Sequence, residues 1–287
     1  MPYFSADTPT QEAKSWLETL EKHSEIHDVV TDECRIRWRR WGEGPPLVLI
    51  HGGSGNWAHW ARNIDHLAKQ SSLWVPDMPS FGDSDELPCS PDAPDLLAYL
   101  IRVLSRSLDS LVGQDALIDL AGFSFGGLVA GTLAAHRGNV RKLALLGTAG
   151  HGGPKRKIPE LVNWRVSGRV NMLQALRHNL SQLMLHDPER IDALAMLIHE
   201  HASIATRFRS KSLSMNMDLQ DTLKTFSSPI LMVWGEHDPI AVPDLAAARL
   251  LHGHPERVFE LVLDAGHWVQ FEAFDQVNNL LTDWFES

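Results

Sequence analysis

Short apolar runs alternate with longer amphipathic stretches along most of this chain. Such runs are typical of buried strands, whereas apolar residues at helical spacing are typical of helices that cover a sheet. The pattern predicts strands at 26–30, 34–41, 47–50, 73–76, 116–121, 142–146, 229–235 and 258–263. It predicts helices between them at 57–69, 95–111 and 127–136. This alternation favours a mostly parallel sheet with helices on both faces.

Two stretches depart from this alternation. Residues 10–23 form a predicted amphipathic helix, which we expect to pack on the body of the protein or on a second subunit of a homodimer. From about 150 to 225 the strands stop, and helical stripes of leucine and methionine are interrupted by prolines. The predicted units are an N-terminal helical extension, a core and a helical cap, at 1–24, at 25–149 with 226–287, and at 150–225.

The segment Gly122-Phe123-Ser124-Phe125-Gly126 joins a predicted strand to a predicted helix. A serine at such a turn projects above the sheet, and the flanking glycines relieve crowding in the turn. Free N–H groups at the start of the new helix lie beside the hydroxyl. This layout is that of a nucleophile elbow, and Ser124 is the candidate nucleophile.

Two further side chains follow strands later in the chain. Asp238 comes after the strand at 229–235, and His267 follows the last strand across a turn that contains Gly266. A serine nucleophile needs a base to take its proton and an acid to orient that base. A turn or capping role would explain either residue alone. The order Ser, Asp, His, with each residue after its own strand, favours a catalytic triad.

A glycine-rich loop, His51-Gly52-Gly53-Ser54-Gly55, follows the strand at 47–50. Glycines allow the backbone to approach a ligand closely. The amides of Gly53 or Ser54, together with that of Phe125, are therefore candidate donors to the oxyanion that forms on an attacked carbonyl.

These motifs together resemble the α/β-hydrolase superfamily, from about Trp38 to Phe285. The stretch 77–84, Asp-Met-Pro-Ser-Phe-Gly-Asp-Ser, is similar to the Asp-x-Pro-Gly-x-Gly-x-Ser segment of that superfamily, with Ser80 in place of the first glycine. The resemblance implies an α/β-hydrolase fold: a mostly parallel eight-stranded sheet, flanking helices and a helical cap insertion.

Two stretches, at 60–64 and 266–272, resemble the carbon–carbon bond hydrolases of meta-cleavage type, which cut ring-fission products of aromatic degradation. The resemblance implies that Trp268, directly after the candidate base, lines the substrate site. Those enzymes also hold the substrate's carboxylate with an arginine of the cap. Arg207 or Arg209 is the candidate for that role in this chain.

The residues around the nucleophile depart from those hydrolases, which usually carry Asn before the serine and Met after it. Phe123 and Phe125 occupy these positions here. Apolar flanks suit an ester or a hydrophobic ketone at least as well as a dianionic dienol. Trp57 and His59 follow the glycine-rich loop, and we expect them either to reach the pocket or to brace the loop.

The composition is that of an ordinary globular enzyme, since 287 residues with 44% hydrophobic content can bury a large core. A formal net charge of −10 argues against a nucleic-acid or anionic-membrane surface. Basic residues alternate with apolar ones along one strand and predict a solvated face: Arg35, Arg37, Arg39 and Arg40.

Cysteine usage and hydropathy bound the remaining possibilities. Cys34 and Cys89 are too few for a disulfide framework and lie in no metal-binding spacing. The first residues lack the apolar region of a secretory signal, and no apolar run approaches a membrane span. We expect a cytoplasmic enzyme that requires neither a metal nor an organic cofactor.

The sequence predicts hydrolysis of a small-molecule carbonyl substrate through an acyl-enzyme. A carboxylic ester is the first choice, and carbon–carbon cleavage of a vinylogous diketone is the alternative. Both reactions use one triad, but the second also needs polar and cationic groups that allow ketonisation and hold a carboxylate. A hydroxynitrile lyase or a non-catalytic binder is less favoured, because the triad and the glycine-rich loop are both present.

Overall fold

Eight strands form one sheet in the computed structural model, which describes residues 4, 8, 10–31, 34–154, 156, 160–216 and 218–287. The strands are β1 (Glu25–Val30), β2 (Arg35–Trp41), β3 (Pro46–Ile50), β4 (Ser72–Pro76), β5 (Ile118–Phe123), β6 (Val140–Leu146), β7 (Ile230–Gly235) and β8 (Arg257–Val262). Their order across the sheet is β1-β2-β4-β3-β5-β6-β7-β8. β2 is antiparallel to both of its neighbours, and all other pairings are parallel. The predicted mostly parallel, eight-stranded sheet is confirmed.

Helices cover both faces of this sheet. In the described residues they are α1 (Thr10–Lys22), α2 (Ala61–Leu67), α3 (Leu96–Val112), α4 (Phe125–Arg137), α5 (Arg169–Leu183), α6 (Ala193–Ala205), α7 (Ser210–Asn216), α8 (Leu219–Thr222), α9 (Pro243–Leu251), α10 (Val269–Glu272) and α11 (Phe274–Glu286). Short 3₁₀ turns occur at Trp57–Trp60, Pro188–Arg190 and Leu223–Thr225. The four helices α5 to α8 lie between β6 and β7, in the stretch expected to form a cap. Within the described ranges, every helix falls short of the length and apolar content that a membrane crossing demands.

Apolar residues of β5 pack alternately on the two faces of the sheet. Leu120 belongs to one core cluster, together with Leu104 of α3. Phe123 belongs to the other cluster, together with Leu281 of α11. Since successive side chains of a strand point to opposite faces, a continuous apolar run needs a helical layer on each side. β5 is buried along its whole length, and it runs two residues beyond the predicted strand, into the elbow.

The N-terminal helix α1 packs on the body of the protein. Ala13 and Leu20 are buried, and the helix contacts α6. The indole nitrogen of Trp41 donates a hydrogen bond to the carbonyl of Leu20 at 2.9 Å. A second subunit at this helix stays a prediction.

Arg39 corrects the expectation of a solvated basic face on β2. Its side chain is 1% exposed and forms ion pairs with Glu21, Asp77 and Asp83. Asp77 also accepts hydrogen bonds from the backbone amides of Trp57 at 2.8 Å and Asp83 at 2.9 Å. A guanidinium can be buried here because three carboxylates, one from α1 and two from the stretch at 77–84, compensate its lost hydration.

A buried ion pair ties the predicted cap to the core. Arg62 of α2 bonds to Asp192, which caps α6 by accepting from the amide of Ala195 at 2.8 Å. Arg62 also donates to the carbonyl of Phe271 at 3.1 Å, and its guanidinium lies 4.0 Å from the centre of that ring. The position of α6 therefore depends on a charge pair that is shielded from water.

Candidate active site

The elbow places Ser124 in a left-handed backbone conformation, with φ of +56°. The residues two positions before and after it are glycines for a steric reason. A Cβ at Gly122 would lie 2.2 Å from the carbonyl oxygen of Gly126, and a Cβ at Gly126 would lie 2.2 Å from that of His51. Close packing of α4 against β3 and β5 therefore requires both glycines.

Three loops at the carboxyl ends of β5, β7 and β8 bring the candidate triad together. The His267 Nε2 atom lies 2.8 Å from Ser124 Oγ, and its Nδ1 atom lies 2.7 Å from Asp238 Oδ2. Asp238 is fully buried, and its other carboxylate oxygen accepts from the amide of Ile240 at 2.9 Å. Because the carboxylate holds the proton on Nδ1, the lone pair of Nε2 faces the serine hydroxyl. This geometry is suited to removing the hydroxyl proton.

The glycine-rich loop after β3 reaches the same place. Gly53, Ser54 and Phe125 line one cavity with Ser124 and His267. The amide of Phe125 is the first of α4 and has no intrahelical acceptor, since the first N–H groups of any helix lack one. The three predicted oxyanion donors are thus brought to the nucleophile, and their role stays a prediction.

His51 is held as a neutral side chain behind this loop. Its Nδ1–H donates to the carbonyl of Gly52 at 2.8 Å, while its Nε2 accepts from the amide of Met78 at 3.0 Å. Complete burial lowers the pKa of His51 to about 4. His51 therefore fixes the loop without carrying charge at neutral pH.

His59 is neutral as well, but in the opposite tautomer. Its Nδ1 accepts from the amide of Gly52 at 3.3 Å, so the proton of the neutral ring is on Nε2. Burial lowers the pKa of His59 well below its ordinary value, and the nearby rings of His51, His199 and His267 lower it further. Since the ring lines a cavity, His59 offers that space a neutral N–H donor.

Two adjoining cavities meet at the glycine-rich loop. The first, here called the apolar cavity, has a volume of about 280 Å³ and contains the nucleophile; its other walls include Phe123, Met184, Met215 and Ile240. The second, here called the polar cavity after its side-chain donors and acceptors, has a volume of about 470 Å³. Its lining includes His59, Asn163, Asn179, His199 and Ser203, together with Val162, Trp164 and Arg165. Gly53, Ser54, Leu161, Leu183 and Met184 line both. Among the described residues, neither lining contains Asp or Glu.

Three predicted substrate-binding residues lie elsewhere. Trp57 packs between Trp41 and Arg39, in a groove beside α1. Trp268 is fully buried, lies 4.9 Å from the ring of His59 and donates its indole N–H to the carbonyl of that residue at 3.0 Å. Both tryptophans therefore brace the site from behind instead of lining either cavity.

Arg207 also departs from its predicted place. Its guanidinium bonds to the carbonyl of Ser84 and lies 3.3 Å from the carboxylate of Glu86. These partners hold the side chain at the outer surface, beside the stretch at 77–84. Phe123 and His59, by contrast, do line the apolar and the polar cavity, respectively.

Three residues that line the cavities were not predicted from the sequence: His199, Ser203 and Lys211. His199 and Ser203 are four residues apart on α6, which is otherwise mostly apolar, so they share one helix face. A polar pair of this kind on an apolar helix was the available signal. Lys211 of α7 lines the apolar cavity, and no periodic pattern distinguishes it.

Among the described residues, one group of potential metal ligands lies in the two loops that carry Asp238 and His267. Ligand atoms of Glu236, His237 and Asp264 lie within 4.8 Å of one another. All three side chains are partly or fully exposed, and they follow the same two strands that present Asp238 and His267. The expectation that the enzyme needs no metal stays a prediction.

Comparison with known proteins agrees with this geometry. Residues 47–280 match the family described as the alpha/beta hydrolase family. The chain belongs to that family. The match spans β3 to α11 and so includes the elbow, both triad partners and the glycine-rich loop.

The relatives and solved structures that are similar to this chain include dienoate hydrolases and an esterase. A 2-hydroxy-6-oxononadienedioate/2-hydroxy-6-oxononatrienedioate hydrolase of Paraburkholderia phymatum is 31% identical over 88% of this chain and 91% of its own. The fold is similar to that of the esterase RhEst1 from Rhodococcus sp. ECU1013, with a TM-score of 0.76 and 20% identity over 92% of this chain and 99% of that one. It is also similar to that of the 2-hydroxy-6-oxo-6-phenylhexa-2,4-dienoate hydrolase from Rhodococcus sp. strain RHA1, with a TM-score of 0.72 and 20% identity over 92% of this chain and 100% of that one. The membership identifies a hydrolase.

Proposed function

We propose that this protein hydrolyses a carbon–carbon bond in a carboxylate-bearing vinylogous diketone, the keto form of a ring-fission dienol. Ser124, His267 and Asp238 are the proposed catalytic residues. The sequence ranked ester hydrolysis first, and the relatives together with the polar cavity now favour the carbon–carbon alternative.

The polar cavity carries this proposal. It offers a neutral N–H of His59 and the side-chain amide of Asn163, while the amide of Asn179 is bonded to the backbone of Val162. Among the described residues this cavity has no carboxylate to repel an anion. Partial burial lowers the pKa of His199 to about 4, so that ring is neutral at physiological pH. An ester of a simple alcohol has no group that requires these donors. The dienol end of a ring-fission product, by contrast, carries a hydroxyl and a carboxylate that must both be bound.

The apolar cavity suits the other end of the same substrate. Phe123, Met215 and Ile240 line the cavity that also contains Ser124. The carbonyl to be attacked would therefore lie between the two cavities, within reach of the amides of Gly53 and Phe125. Loss of water from this region strengthens each hydrogen bond to the developing oxyanion.

The proposed chemistry proceeds in balanced steps. After the enol proton moves to carbon, Ser124 Oγ adds to the ketone as His267 takes its proton. The tetrahedral intermediate collapses with cleavage of the carbon–carbon bond, and the departing electron pair is delocalised as a dienolate, which takes the proton held by His267. Water, deprotonated by His267, then attacks the acyl-enzyme and releases the acid and Ser124.

The names of the relatives support the same assignment. The Paraburkholderia phymatum protein is named for a dienedioate and a trienedioate, and it is similar over most of both chains.

The test compares two substrates on the purified protein. With 2-hydroxy-6-oxononadienedioate, loss of the dienol absorbance should proceed with a kcat/KM about a hundredfold or more above that for 4-nitrophenyl butyrate. Product analysis by mass spectrometry should show two carboxylic acids. Rapid ester hydrolysis without dienol consumption would contradict the proposal.

Ester hydrolysis is the second candidate, and a specific observation favours it. The cavity that holds Ser124 is lined mainly by apolar side chains, which accept a hydrophobic acyl group without any help from the polar cavity. The same substrate comparison decides between the two reactions.

A further inference from the structure

Cationic side chains line a surface depression next to the two cavities. This depression of about 530 Å³ adjoins both cavities. It shares Lys211 with the apolar cavity and Arg165 with the polar cavity, and Ser54 lines all three spaces. Arg209 also lines the depression. Arg165, Arg209 and Lys211 are here called the basic mouth.

The charges of the basic mouth are uncompensated within the described structure. Arg207 also lines the depression, but Glu86 lies 3.3 Å away and offsets its charge. Arg209 and Lys211 are exposed and form no ion pair with any described residue. Arg165 is exposed and lies 4.2 Å from the centre of the Trp164 ring, an interaction that leaves its charge intact.

The basic mouth contrasts with the rest of the molecule. The chain has a formal net charge of −10, which repels anions at long range. At physiological ionic strength charges are screened over about 8 Å, so an anion near the opening responds mainly to the cations beside it. A cleft lined by one sign of charge concentrates ligands of the other sign. No Asp or Glu among the described residues lines this depression.

We propose that the basic mouth selects substrates whose acyl end carries a second carboxylate. The inference rests on the proposed function, because it takes the dienol end to occupy the polar cavity and the acyl end the apolar cavity. Lys211 lines the apolar cavity where that space opens into the depression. A carboxylate at the far end of the acyl group would therefore meet Lys211, with Arg165 and Arg209 adding their charge.

The first experiment uses two matched esters, so that it does not depend on carbon–carbon cleavage. The anionic ester is 4-nitrophenyl hydrogen glutarate, and the neutral one is its methyl ester. The measured quantity is the ratio of kcat/KM for the anionic ester to kcat/KM for the neutral one. In the variant Arg209→Glu with Lys211→Glu, this ratio should fall at least about tenfold at low ionic strength. Added salt should lower the ratio of the unaltered protein toward that of the variant.

The control makes the same change in net charge far from the opening. Lys22 and Lys69 are exposed beside the amino ends of β1 and β4, on the edge of the sheet opposite the nucleophile. Lys22→Glu with Lys69→Glu should leave the ratio unchanged. An equal fall in this control, or an unchanged ratio in the mouth variant, would overturn the proposal.

The second experiment applies the same variants to two dienols. The doubly carboxylated substrate is 2-hydroxy-6-oxononadienedioate, and the singly carboxylated one is 2-hydroxy-6-oxo-6-phenylhexa-2,4-dienoate. The mouth variant should lower kcat/KM for the first about tenfold relative to the second. If neither dienol is consumed, the proposed function fails while the ester ratio still tests the basic mouth. Should both dienols react with an unaltered ratio, the mouth proposal fails and the function stands.

Discussion

The two cavities at Ser124 differ in what surrounds them. The apolar cavity is lined mainly by residues that bind through shape alone, such as Phe123 and Ile240. The polar cavity has fixed hydrogen-bonding groups, and its donor His59 is set by a backbone contact to one tautomer. A single nucleophile thus faces a permissive space on one side and a selective space on the other. Under the proposed function the polar cavity distinguishes dienols from simple esters, whereas the basic mouth responds to the charge of the acyl end.

Removal of the nucleophile Ser124 should strongly reduce turnover of both substrate classes, dienols and esters. We expect Ser124→Ala to lower kcat by about a thousandfold or more for dienols and esters alike, because the oxyanion donors and substrate binding alone remain. Steady-state kinetics on both substrate classes measure the loss. The midpoint of urea unfolding serves as the control for folding. Retention of activity toward either class would show that the class is turned over elsewhere.

Breaking the buried ion pair between Arg62 and Asp192 should destabilise the fold at α6, which forms part of the wall of the polar cavity. Arg62→Met leaves Asp192 charged and unpaired below α6, which should lower the free energy of unfolding by about 3 to 5 kcal/mol. Urea unfolding monitored by circular dichroism gives this value. The matched control is Arg190→Met, since Arg190 forms a half-exposed pair with Asp187 and should cost less than about 1 kcal/mol. Equal costs for the two variants would contradict a special role of the buried pair.

The sequence predicted the strands and the catalytic triad better than it predicted the lining of the cavities. The apolar runs identified the central strands, such as β5 and β7, because burial on both faces leaves few polar positions. The triad residues were found because each follows a strand in a fixed order, and the structure brings Ser124, His267 and Asp238 within hydrogen-bonding distance. Local chain geometry carries all of this information.

The substrate-binding residues were not predicted as well, because they depend on how distant segments pack. Trp57 lies beside the glycine-rich loop in the chain, yet Arg39 and Asp77 hold it on the far side of that loop. His199 is distant in the chain, and α6 brings it to the polar cavity. The expected exposure of Arg39 was also wrong, because Glu21 of α1 and two carboxylates of the stretch at 77–84, Asp77 and Asp83, meet at one strand position. Contacts between side chains that are far apart in the chain leave no periodic pattern in the sequence.

Substitution of His59 should sharpen the contrast by removing a donor from the polar side alone. We expect His59→Leu to lower kcat/KM for the dienedioate about tenfold more than for 4-nitrophenyl butyrate, because the Nε2–H donor is lost. Parallel kinetics on the two substrates give the difference. His59→Gln retains an amide donor and should recover part of the dienol activity. Equal losses for both substrates in His59→Leu would assign the ring a purely structural role.

A smaller effect is expected on the apolar side. Ile240→Ala should enlarge the cavity at Ser124 and shift the preference among 4-nitrophenyl esters toward longer acyl chains, by about threefold in relative kcat/KM. Ile240→Val, which removes one carbon, is the matched control and should shift the preference less. A change in the ratio of dienedioate to ester that exceeds the shift among esters would contradict the division of labour between the cavities.

Acid should weaken the fold slightly through the polar cavity. The folded-state pKa of His199 is about 4, below its ordinary value of 6.5, so the unfolded chain takes up a proton that the folded chain refuses. The stability that the neutral ring contributes is present above pH 6.5 and is lost as the pH falls toward 4. Because the ring is only half-buried, we expect His199→Gln to reduce the fall in unfolding free energy between pH 7 and pH 5 by about 1 kcal/mol. Urea unfolding of both proteins at the two pH values measures the difference. An identical fall in both would show that His199 takes up its proton as readily in the folded protein as in the unfolded chain, and the polar cavity would then gain a positive charge in mild acid.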